Sequence, residues 1–517
     1  MTRAAAALLA LVCLWAAPAA ASEVVDVRLV VDVAGGVATG TATDPDGRTR
    51  DIRIQRPTLA DASNPFDGYI GPDGALLPAD SGWLPDLPPG ADAWRIEVRT
   101  SDGFVAVPYP GGDVAPDGLT TFVLPERAAR APLLVGAFRT AERNVGDVLI
   151  RTFFTDRNAG LSDVYLDAAG EAVASLAARI GAYPYEAFSV VESPLPVGLG
   201  YPGFTLVSGR ILPLPFMRGR SLWHEIAHVW WGNGVFVDYE KGNWAEGFAT
   251  FFADYALAER ESPEAAREMR YDWLLEFDAL PVRADIPLGR FVTKTHGQAQ
   301  AVGYGKPAML LIMLRDRIGE AAFDAGVRRF WSDNKWSRAD WSDVQAAFQA
   351  ETSEDLAPFF QRWLDEPGAA PPDPADSDFR TFRRLAKAEQ LPTLRLAISA
   401  EALALRLVDG APGSEEEIAA ALRPLGAVAS DGFPVLVGGG EALAARLDAA
   451  PEGAGPAIWA ARLETGERAL AVRAASLDEV NALAGRARRY GRWSWLTLGQ
   501  DGRPETGRWP HAMVSKE

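Results

Sequence analysis

The stretch HEIAHVWWGNGVFVDYEKGNWAEGFATFFADY, residues 224–255, decides the fold around the candidate site. His224 and His228 stand four positions apart in an apolar run, which predicts a helix with both imidazoles on one face. Two such imidazoles can reach the same metal ion. Glu225 is offset by about 100° around that helix, so its carboxylate can address a water on the ion instead of the ion itself. The whole chain has four histidines, and half of them in one pentapeptide indicates a metal site.

The third ligand must come from elsewhere, because a catalytic zinc site usually has three protein ligands and one open position. The positions three and six beyond the second histidine hold Trp and Gly, which excludes the zincin pattern with a third histidine. Glu246, at the start of a predicted helix, is the main candidate. It could equally be the N3 residue of a capping box with Asn243 as N-cap. Asp238 and Glu240 lie in a loop-like stretch and are weaker candidates.

Length and charge limit the class of protein. At about 150 residues per domain, the 517 residues predict about three domains. The chain has 51 Lys plus Arg against 69 Asp plus Glu, a net charge of -18. A nucleic-acid-binding protein needs a basic face for phosphates, so this balance argues against one. It also disfavours adhesion to anionic membrane surfaces.

Residues 1–21 are predicted to be a cleaved secretory signal. Arg3 precedes an apolar run, and Ala19 and Ala21 have the spacing that signal peptidase accepts. The alternative is a membrane anchor, although the run is short for the ~20 residues of a span. The one cysteine of the chain, Cys13, lies in this segment, so the mature protein would have no disulfide. We therefore expect a periplasmic or secreted bacterial protein without a membrane span after signal cleavage.

The rest of the chain is predicted to be multidomain. Residues 22–158 form a β-rich domain, because apolar residues alternate at strand period from Val25 to Val33. Residues 159–369 open with a helix over Ser162–Ile180 and alternate short strands with long helices. Residues 370–378 belong to a proline-rich linker, and residues 379–517 predict a small α/β domain. Its predicted elements are the strands Leu394–Ile398, Pro434–Val437 and Trp493–Leu498 and the helices Glu415–Leu425 and Leu477–Arg488.

The stretch at residues 224–255 resembles the zinc core of the membrane alanyl aminopeptidase (aminopeptidase N-like) family. These gluzincins have a thermolysin-like α+β catalytic domain, mostly helical around the site, and typically read HELxHxWxGN followed by W-x-x-E-G-F-A. The resemblance implies one zinc ion held by His224, His228 and Glu246. The spacing between His228 and Glu246 is one residue shorter than usual in the family, which we interpret as a one-residue loop deletion.

The resemblance extends to the substrate side of the site. Gly303-Tyr304-Gly305-Lys306-Pro307 resembles the family's Tyr-x-Lys-Gly segment, which implies that Tyr304 hydrogen-bonds the oxyanion. By itself, a tyrosine is more often a partly buried core residue.

The amine-binding segment departs from the family. Family aminopeptidases carry G-x-M-E-N, whose Glu binds the free α-amine of the substrate; here residues 198–204 read GLGYPGF. Gly200, Tyr201 and Gly203 remain as candidate substrate-binding residues. Glu192 could replace the missing carboxylate or could be a structural acid.

The resemblance therefore implies a zinc metallopeptidase acting on peptide substrates. Zinc would lower the pKa of a bound water toward ~7 and Glu225 would act as general base. The alternatives are an endopeptidase, a hydrolase of another small substrate, and a catalytically silent metal-bearing binding protein. His296 could line the cleft or lie in an exposed loop, His511 is interpreted as solvated, and the oligomeric state is not predicted.

Overall fold

A computed structural model describes residues 23–278, 286–292, 301–366, 393–394, 398, 400, 402–491, 493–499, 501–507 and 509. The predicted signal segment, the linker at 370–378, His296 and His511 lie outside the described residues. None of the helices in these ranges combines the length and the apolar character that crossing a lipid bilayer requires.

Two sheets form the N-terminal part of the chain. The strands are β1 Glu23–Asp32, β2 Val37–Thr43, β3 Thr49–Gln55, β4 Tyr69–Gly71, β5 Gly74–Leu77, β6 Ala91–Thr100, β7 Val105–Ala106, β8 Asp113–Val114, β9 Thr120–Pro125 and β10 Leu133–Gly136. One sheet has the order β3-β2-β1-β6-β9-β8, and the other has the order β4-β5-β10-β7. The predicted alternation is confirmed, since Val25, Val27, Leu29 and Val31 are buried between exposed or half-buried neighbours.

A five-stranded sheet and the helices on it carry the site. The elements are β11 Arg139–Val145, β12 Val148–Phe154, α1 Ser162–Ile180, β13 Ala187–Ser193, β14 Gly198–Tyr201, β15 Phe204–Ser208, α2 Leu222–Ala227, β16 Phe236–Val237, α3 Ala245–Ala249, α4 Ala256–Glu261, α5 Pro263–Asp278, α6 Lys306–Ile318, α7 Glu320–Asn334, β17 Arg338–Ala339, α8 Trp341–Gln349 and α9 Ala357–Asp365. The sheet order is β11-β12-β13-β15-β14. The predicted helix over Ser162–Ile180 is confirmed, with Gly181 as its C-cap.

The central strand β13 is buried along its whole length because both faces of the sheet are covered. Phe188 and Val190 pack into the helical core, whereas Val191 packs into the core of the N-terminal sheets. The sheet begins at Arg139, before the boundary predicted between residues 158 and 159. Strand β12 pairs in parallel with β13, and α1 forms the crossover that a parallel pair needs. Strands β11 and β12 thus share a sheet with the central domain.

The C-terminal part is an α/β unit, as predicted. Its elements are β18 Leu403–Leu407, α10 Glu415–Ala421, β19 Phe433–Gly438, α11 Gly440–Ala444, β20 Ala457–Arg462, β21 Arg468–Arg473, α12 Leu477–Ala487, β22 Trp495–Leu498 and β23 Pro504–Gly507. The strand predicted at Leu394–Ile398 falls largely outside the described residues, and the first strand that the structure describes in this part starts at Leu403.

Candidate metal centre

The helix α2 carries both predicted histidine ligands. It continues from a π-helical turn at Met217–Ser221 and ends with His228 as its C-cap. The end is stabilised by Asn233, whose side-chain nitrogen donates to the carbonyl oxygen of His228 at 3.0 Å. Gly232, at φ 113°, reverses the chain there. Although the helix is short, both histidines lie within one turn of each other.

Three predicted ligands meet at one point. The Nε2 atoms of His224 and His228 lie 3.4 and 3.3 Å from Oε2 of Glu246. The three donor atoms all lie within 4.8 Å of one another, a distance that a single ion can span. Their side chains are 14%, 14% and 23% exposed, so the cluster is largely shielded from water but still reachable.

The capping alternative for Glu246 does not fit the geometry. The backbone N–H of Asn243, which a capping box would use, donates to the carbonyl oxygen of Phe291 at 2.6 Å. The Asn243 side chain accepts from the N–H of Ala245, and the residue at the N-cap of α3 is Trp244. Asp238 and Glu240, the weaker ligand candidates, belong to a separate turn, where Asp238 accepts from the Glu240 N–H.

Each histidine ring is oriented by a partner on its other nitrogen. Nδ1 of His224 donates to Oδ2 of Asp254 at 2.8 Å, and Nδ1 of His228 donates to the carbonyl oxygen of Trp231 at 2.9 Å. These bonds place the ring protons on Nδ1 and direct the Nε2 lone pairs toward Glu246. A carboxylate behind a histidine also raises its basicity as a ligand.

Asp254 is a site residue that the sequence analysis missed. It stands eight positions after Glu246, and in a regular α-helix eight residues turn through about 800°, which is about 80° past two full turns. The segment Thr250–Tyr255 is π-helical, and such a segment accommodates about one extra residue in the turn. The effective spacing of seven residues returns Asp254 to the face of Glu246. Predicting the contact between Asp254 and His224 from the sequence would have required predicting this π-helical turn.

The charges in the cluster perturb one another. Burial by itself lowers the pKa of His224, but the bond to Asp254 and the nearby carboxylate of Glu246 outweigh it and hold the pKa well above its ordinary value. Burial also lowers the pKa of His228, and Glu246 again raises it overall. Burial raises the pKa of Glu246, yet the two imidazoles hold it well below its usual range. The pocket therefore stabilises positive charge between the rings and the carboxylate.

The donor set fits a zinc ion. Two neutral imidazoles and one carboxylate match the ligand chemistry of catalytic zinc sites. Oε2 of Glu246 is buried and has no hydrogen-bond partner among the described residues. Since an unpaired buried carboxylate oxygen is costly, a cation at this position would satisfy it.

The edge strand β14 runs beside Glu225, the predicted general base. A Cβ at Gly200 would lie 3.0 Å from Oε2 of Glu225, and one at Gly198 would lie 4.0 Å from Oε1. Both glycines therefore face α2, and their lack of a side chain leaves space beside the Glu225 carboxylate. Gly200, predicted as substrate-binding, thus adjoins the site.

The other two predicted substrate-binding residues have structural surroundings. The ring of Tyr201 stacks on Phe204 at 4.8 Å and packs against the core of the N-terminal sheets. Gly203, at φ 78°, forms the turn between β14 and β15, where a Cβ would lie 3.0 Å from Pro110. Because neither residue lines the cavity at the histidines, the structure does not bring them to the metal centre.

Glu192 is also accounted for by structural contacts. Its carboxylate accepts from the backbone N–H and the hydroxyl of Thr155, at 2.8 and 3.0 Å, and from the side chain of Asn158 at 2.9 Å. The side chain lines a different cavity, between the central sheet and the N-terminal sheets. These contacts favour the structural interpretation over a role in binding the substrate amine.

Tyr304 lies at the metal centre. It stands in a π-helical turn at Ala301–Gly305 that leads into α6, and its ring stacks on His224 with centroids 5.9 Å apart. Burial and the negative charge of Glu246, to which it is hydrogen-bonded, raise the pKa of Tyr304. The phenol therefore stays protonated at neutral pH and remains a hydrogen-bond donor.

A cavity of about 680 Å³ opens at His224, Glu225 and Tyr304. Its far wall is α5, which contributes the carboxylates Glu268, Asp272 and Glu276, spaced four residues apart on one helix face. These acids could not be recognised from the sequence, because the family resemblance does not mark them. The cavity is thus large enough for a short peptide and has a negative potential.

Residues 220–363 match the Peptidase family M1 domain. Over 250 residues the chain is 26% identical to aminopeptidase 2 of Candida albicans, and the alignment covers 44% of this chain and 27% of that protein. It is 30% identical over 205 residues to the mitochondrial aminopeptidase 2 of Saccharomyces cerevisiae, covering 37% and 21%. The match therefore spans about a quarter of the length of these curated relatives.

The fold is similar to that of a solved M1 zinc metallopeptidase from Deinococcus radiodurans, crystallised as a mutant with a bound Tyr-Ser-Ala substrate. The TM-score is 0.51 at 17% identity, and the superposition covers 68% of this chain and 96% of that one. This likeness concerns the arrangement of the chain alone. Residues 220–363 thus match a peptidase M1 domain, and in sequence and fold the chain is similar to aminopeptidases and to M1 zinc metallopeptidases of the aminopeptidase N-like type.

Proposed function

We propose that this protein is a zinc-dependent peptidase that hydrolyses peptide bonds with one zinc ion, in the manner of an aminopeptidase. The observation that carries the proposal is the convergence of the donor atoms of His224, His228 and Glu246, at a cavity that His224 and Glu225 line. The sequence relatives support peptide hydrolysis as the reaction, because they are aminopeptidases.

The chain's own residues supply three parts of the mechanism. Zinc, when held by the three ligands, supplies Lewis acidity toward a carbonyl and toward water. Glu225 accepts a proton from the attacking water and delivers it to the leaving amine. Tyr304 donates its phenolic hydrogen to the oxygen on which negative charge develops. Asp254 keeps the His224 ring in the tautomer that leaves Nε2 as a ligand.

Substrate binding is proposed along the strand β14. This strand forms one edge of its sheet, pairing only with β15 in the described sheet. An extended peptide can add to such an edge through main-chain hydrogen bonds, and the glycines on the site-facing side leave space for it. The carboxylates on α5 favour a cationic group in the cavity, such as a free α-amine.

A second candidate is an endopeptidase. It is favoured by the glycines of β14, which supply no carboxylate where family aminopeptidases hold the substrate amine. A charge-assisted hydrogen bond to that amine would contribute about 1.5–3 kcal/mol, so without it N-terminal blocking would cost little affinity. Peptides with a free and with an acetylated N-terminus separate the two candidates.

The test compares the zinc-loaded wild type with Glu225→Gln on one peptide in both N-terminal forms. The exposed neighbour Glu240→Gln is the matched control. We expect Glu225→Gln to retain zinc and to lose about 10²–10⁴-fold in kcat, while the control keeps wild-type activity. Preference for the free form supports an aminopeptidase, and equal cleavage of both forms supports an endopeptidase. A Glu225→Gln protein that equals the wild type would contradict the proposal.

A further inference from the structure

A buried lysine stands two residues after Tyr304. Lys306 is fully buried at the first position of α6, and its Nζ donates to the carbonyl oxygens of Ile286 and Glu366 at 3.4 and 3.3 Å. A buried ammonium is costly unless hydrogen bonds compensate it. Since it does not line the cavity at the histidines, Lys306 does not contact the reacting atoms.

We propose that Lys306 is a positioning residue, which fixes the Tyr304 phenol relative to Glu246 through the segment Ile286–Val292. This segment is called the brace below. The inference rests on the proposed role of Tyr304 as the donor to the oxyanion, and it adds how the chain holds that donor in place.

One side of the brace holds the start of the Glu246 helix. The N–H of Asn243 donates to the Phe291 carbonyl at 2.6 Å, and the Asn243 side chain donates to the Val292 carbonyl at 3.0 Å. Asn243 precedes Glu246 by three residues, so these two bonds set the entry of α3.

The other side of the brace holds the turn that carries Tyr304. The Phe291 ring occupies the place of a side chain at Gly303, where a Cβ would lie 1.9 Å from the ring. Lys306 reaches the opposite end of the brace at Ile286. The brace therefore contacts residues on both sides of Tyr304 and, through Asn243, the helix of the metal-ligand carboxylate.

Two further contacts restrain the start of α6, where Lys306 lies two residues after Tyr304. A Cβ at Gly247 would lie 2.4 Å from Pro307, so α3 and α6 touch directly beside Glu246 and Lys306. The bond from Lys306 to Glu366 ties the same point to the residue after α9. The π-helical turn at Ala301–Gly305 is an uncommon conformation that surrounding contacts must maintain. Loss of the ammonium would release one of them.

The experiment is a double-mutant cycle with Lys306→Met and Tyr304→Phe in the zinc-loaded full chain. Methionine keeps most of the volume of the lysine and removes its donors. We expect Lys306→Met to lower kcat about tenfold or more, with KM changed less than about twofold and zinc content unchanged. In the Tyr304→Phe background the same substitution should change kcat less than about twofold, because its effect passes through the phenol. Lys335→Met, at an exposed lysine, is the matched control.

The outcomes separate this inference from the proposed function. Full activity of Tyr304→Phe would overturn the oxyanion role itself. A large loss for Tyr304→Phe with none for Lys306→Met would overturn the positioning role alone. An equal kcat loss from Lys306→Met in both backgrounds would mean that the lysine acts by another route. If Lys306→Met does not fold, as thermal unfolding would reveal, Phe291→Leu enters the same cycle with the same expectations.

Discussion

Replacing Asp254 tests how the metal centre is held. Its bond to Nδ1 of His224 is 2.8 Å long, and the carboxylate is 19% exposed. A charge-assisted hydrogen bond shielded to this degree contributes about 1.5–3 kcal/mol. Arg220 lies 4.0 Å from the other oxygen and is half exposed, so it adds little. At about 1.4 kcal/mol per tenfold, zinc affinity should fall about 10–100-fold when Asp254 is lost.

Two variants of Asp254 should lower the zinc affinity to different degrees. Asp254→Asn keeps an oxygen that can accept from the imidazole but loses the charge, so we expect a loss near tenfold. Asp254→Ala leaves Nδ1 of His224 without its partner, so we expect a loss near a hundredfold. Asp272→Asn removes a charge from the same cavity, and Asp272 is not one of the three ligands, so its zinc affinity should stay within about twofold of the wild type.

The assay is competition for zinc against a chromophoric chelator at fixed pH and ionic strength. Wild-type affinity in both Asp254 variants would refute the orienting role of this carboxylate. An equal loss of zinc affinity in Asp272→Asn would also refute it. The loss in the Asp254 variants would then follow from the net charge of the cavity and not from the hydrogen bond to His224.

Three further predictions concern single side chains. Gly200→Ala would place a methyl group 3.0 Å from the Glu225 carboxylate. We therefore expect this variant to retain zinc and to lose about tenfold in kcat. Leu199→Ala, on the opposite face of the strand, is the control and should keep the wild-type kcat. Glu246→Ala should lose zinc on dialysis, as metal analysis would show; full retention would refute its role as a metal ligand. Asp340→Ala should lower the free energy of unfolding by about 1 kcal/mol in urea titrations, since Asp340 caps α8. Burial raises the pKa of Asp340, but its hydrogen bonds lower that pKa overall. The difference in unfolding free energy between wild type and Asp340→Ala should therefore be present above the ordinary pKa of Asp. It should vanish as the pH falls through the lowered pKa of the folded protein.

The sequence predicted the parts of the site that depend on local geometry. His224, Glu225 and His228 lie in one helical turn, where spacing alone determines which face a side chain occupies. Glu246 and Tyr304 lie farther along the chain, and only the family resemblance brought them to the same point. The segments that carry them contact each other over long sequence distances, as at Phe291 with Asn243 and Gly303 and at Gly247 with Pro307, and spacing does not encode such contacts.

The features that the sequence did not predict depend on irregular or long-range structure. Asp254 reaches His224 through a π-helical turn, and a regular helix would have directed it elsewhere. Tyr201 packs against Phe204 instead of the cavity, because strand alternation assigns Gly200 to the site-facing side. Strands β11 and β12 joined the central sheet through pairing with β13, which no local pattern marks.

The central claim, that this chain hydrolyses peptides with a metal ion at His224, His228 and Glu246, is tested most directly by digesting a peptide library. Mass spectrometry would compare the zinc-loaded wild type, the same protein with chelator, and zinc-loaded Glu225→Gln. The predicted result is cleavage by the first sample alone, with residues released from free N-termini. Equal product patterns in all three samples, or no product in any of them, would contradict the claim.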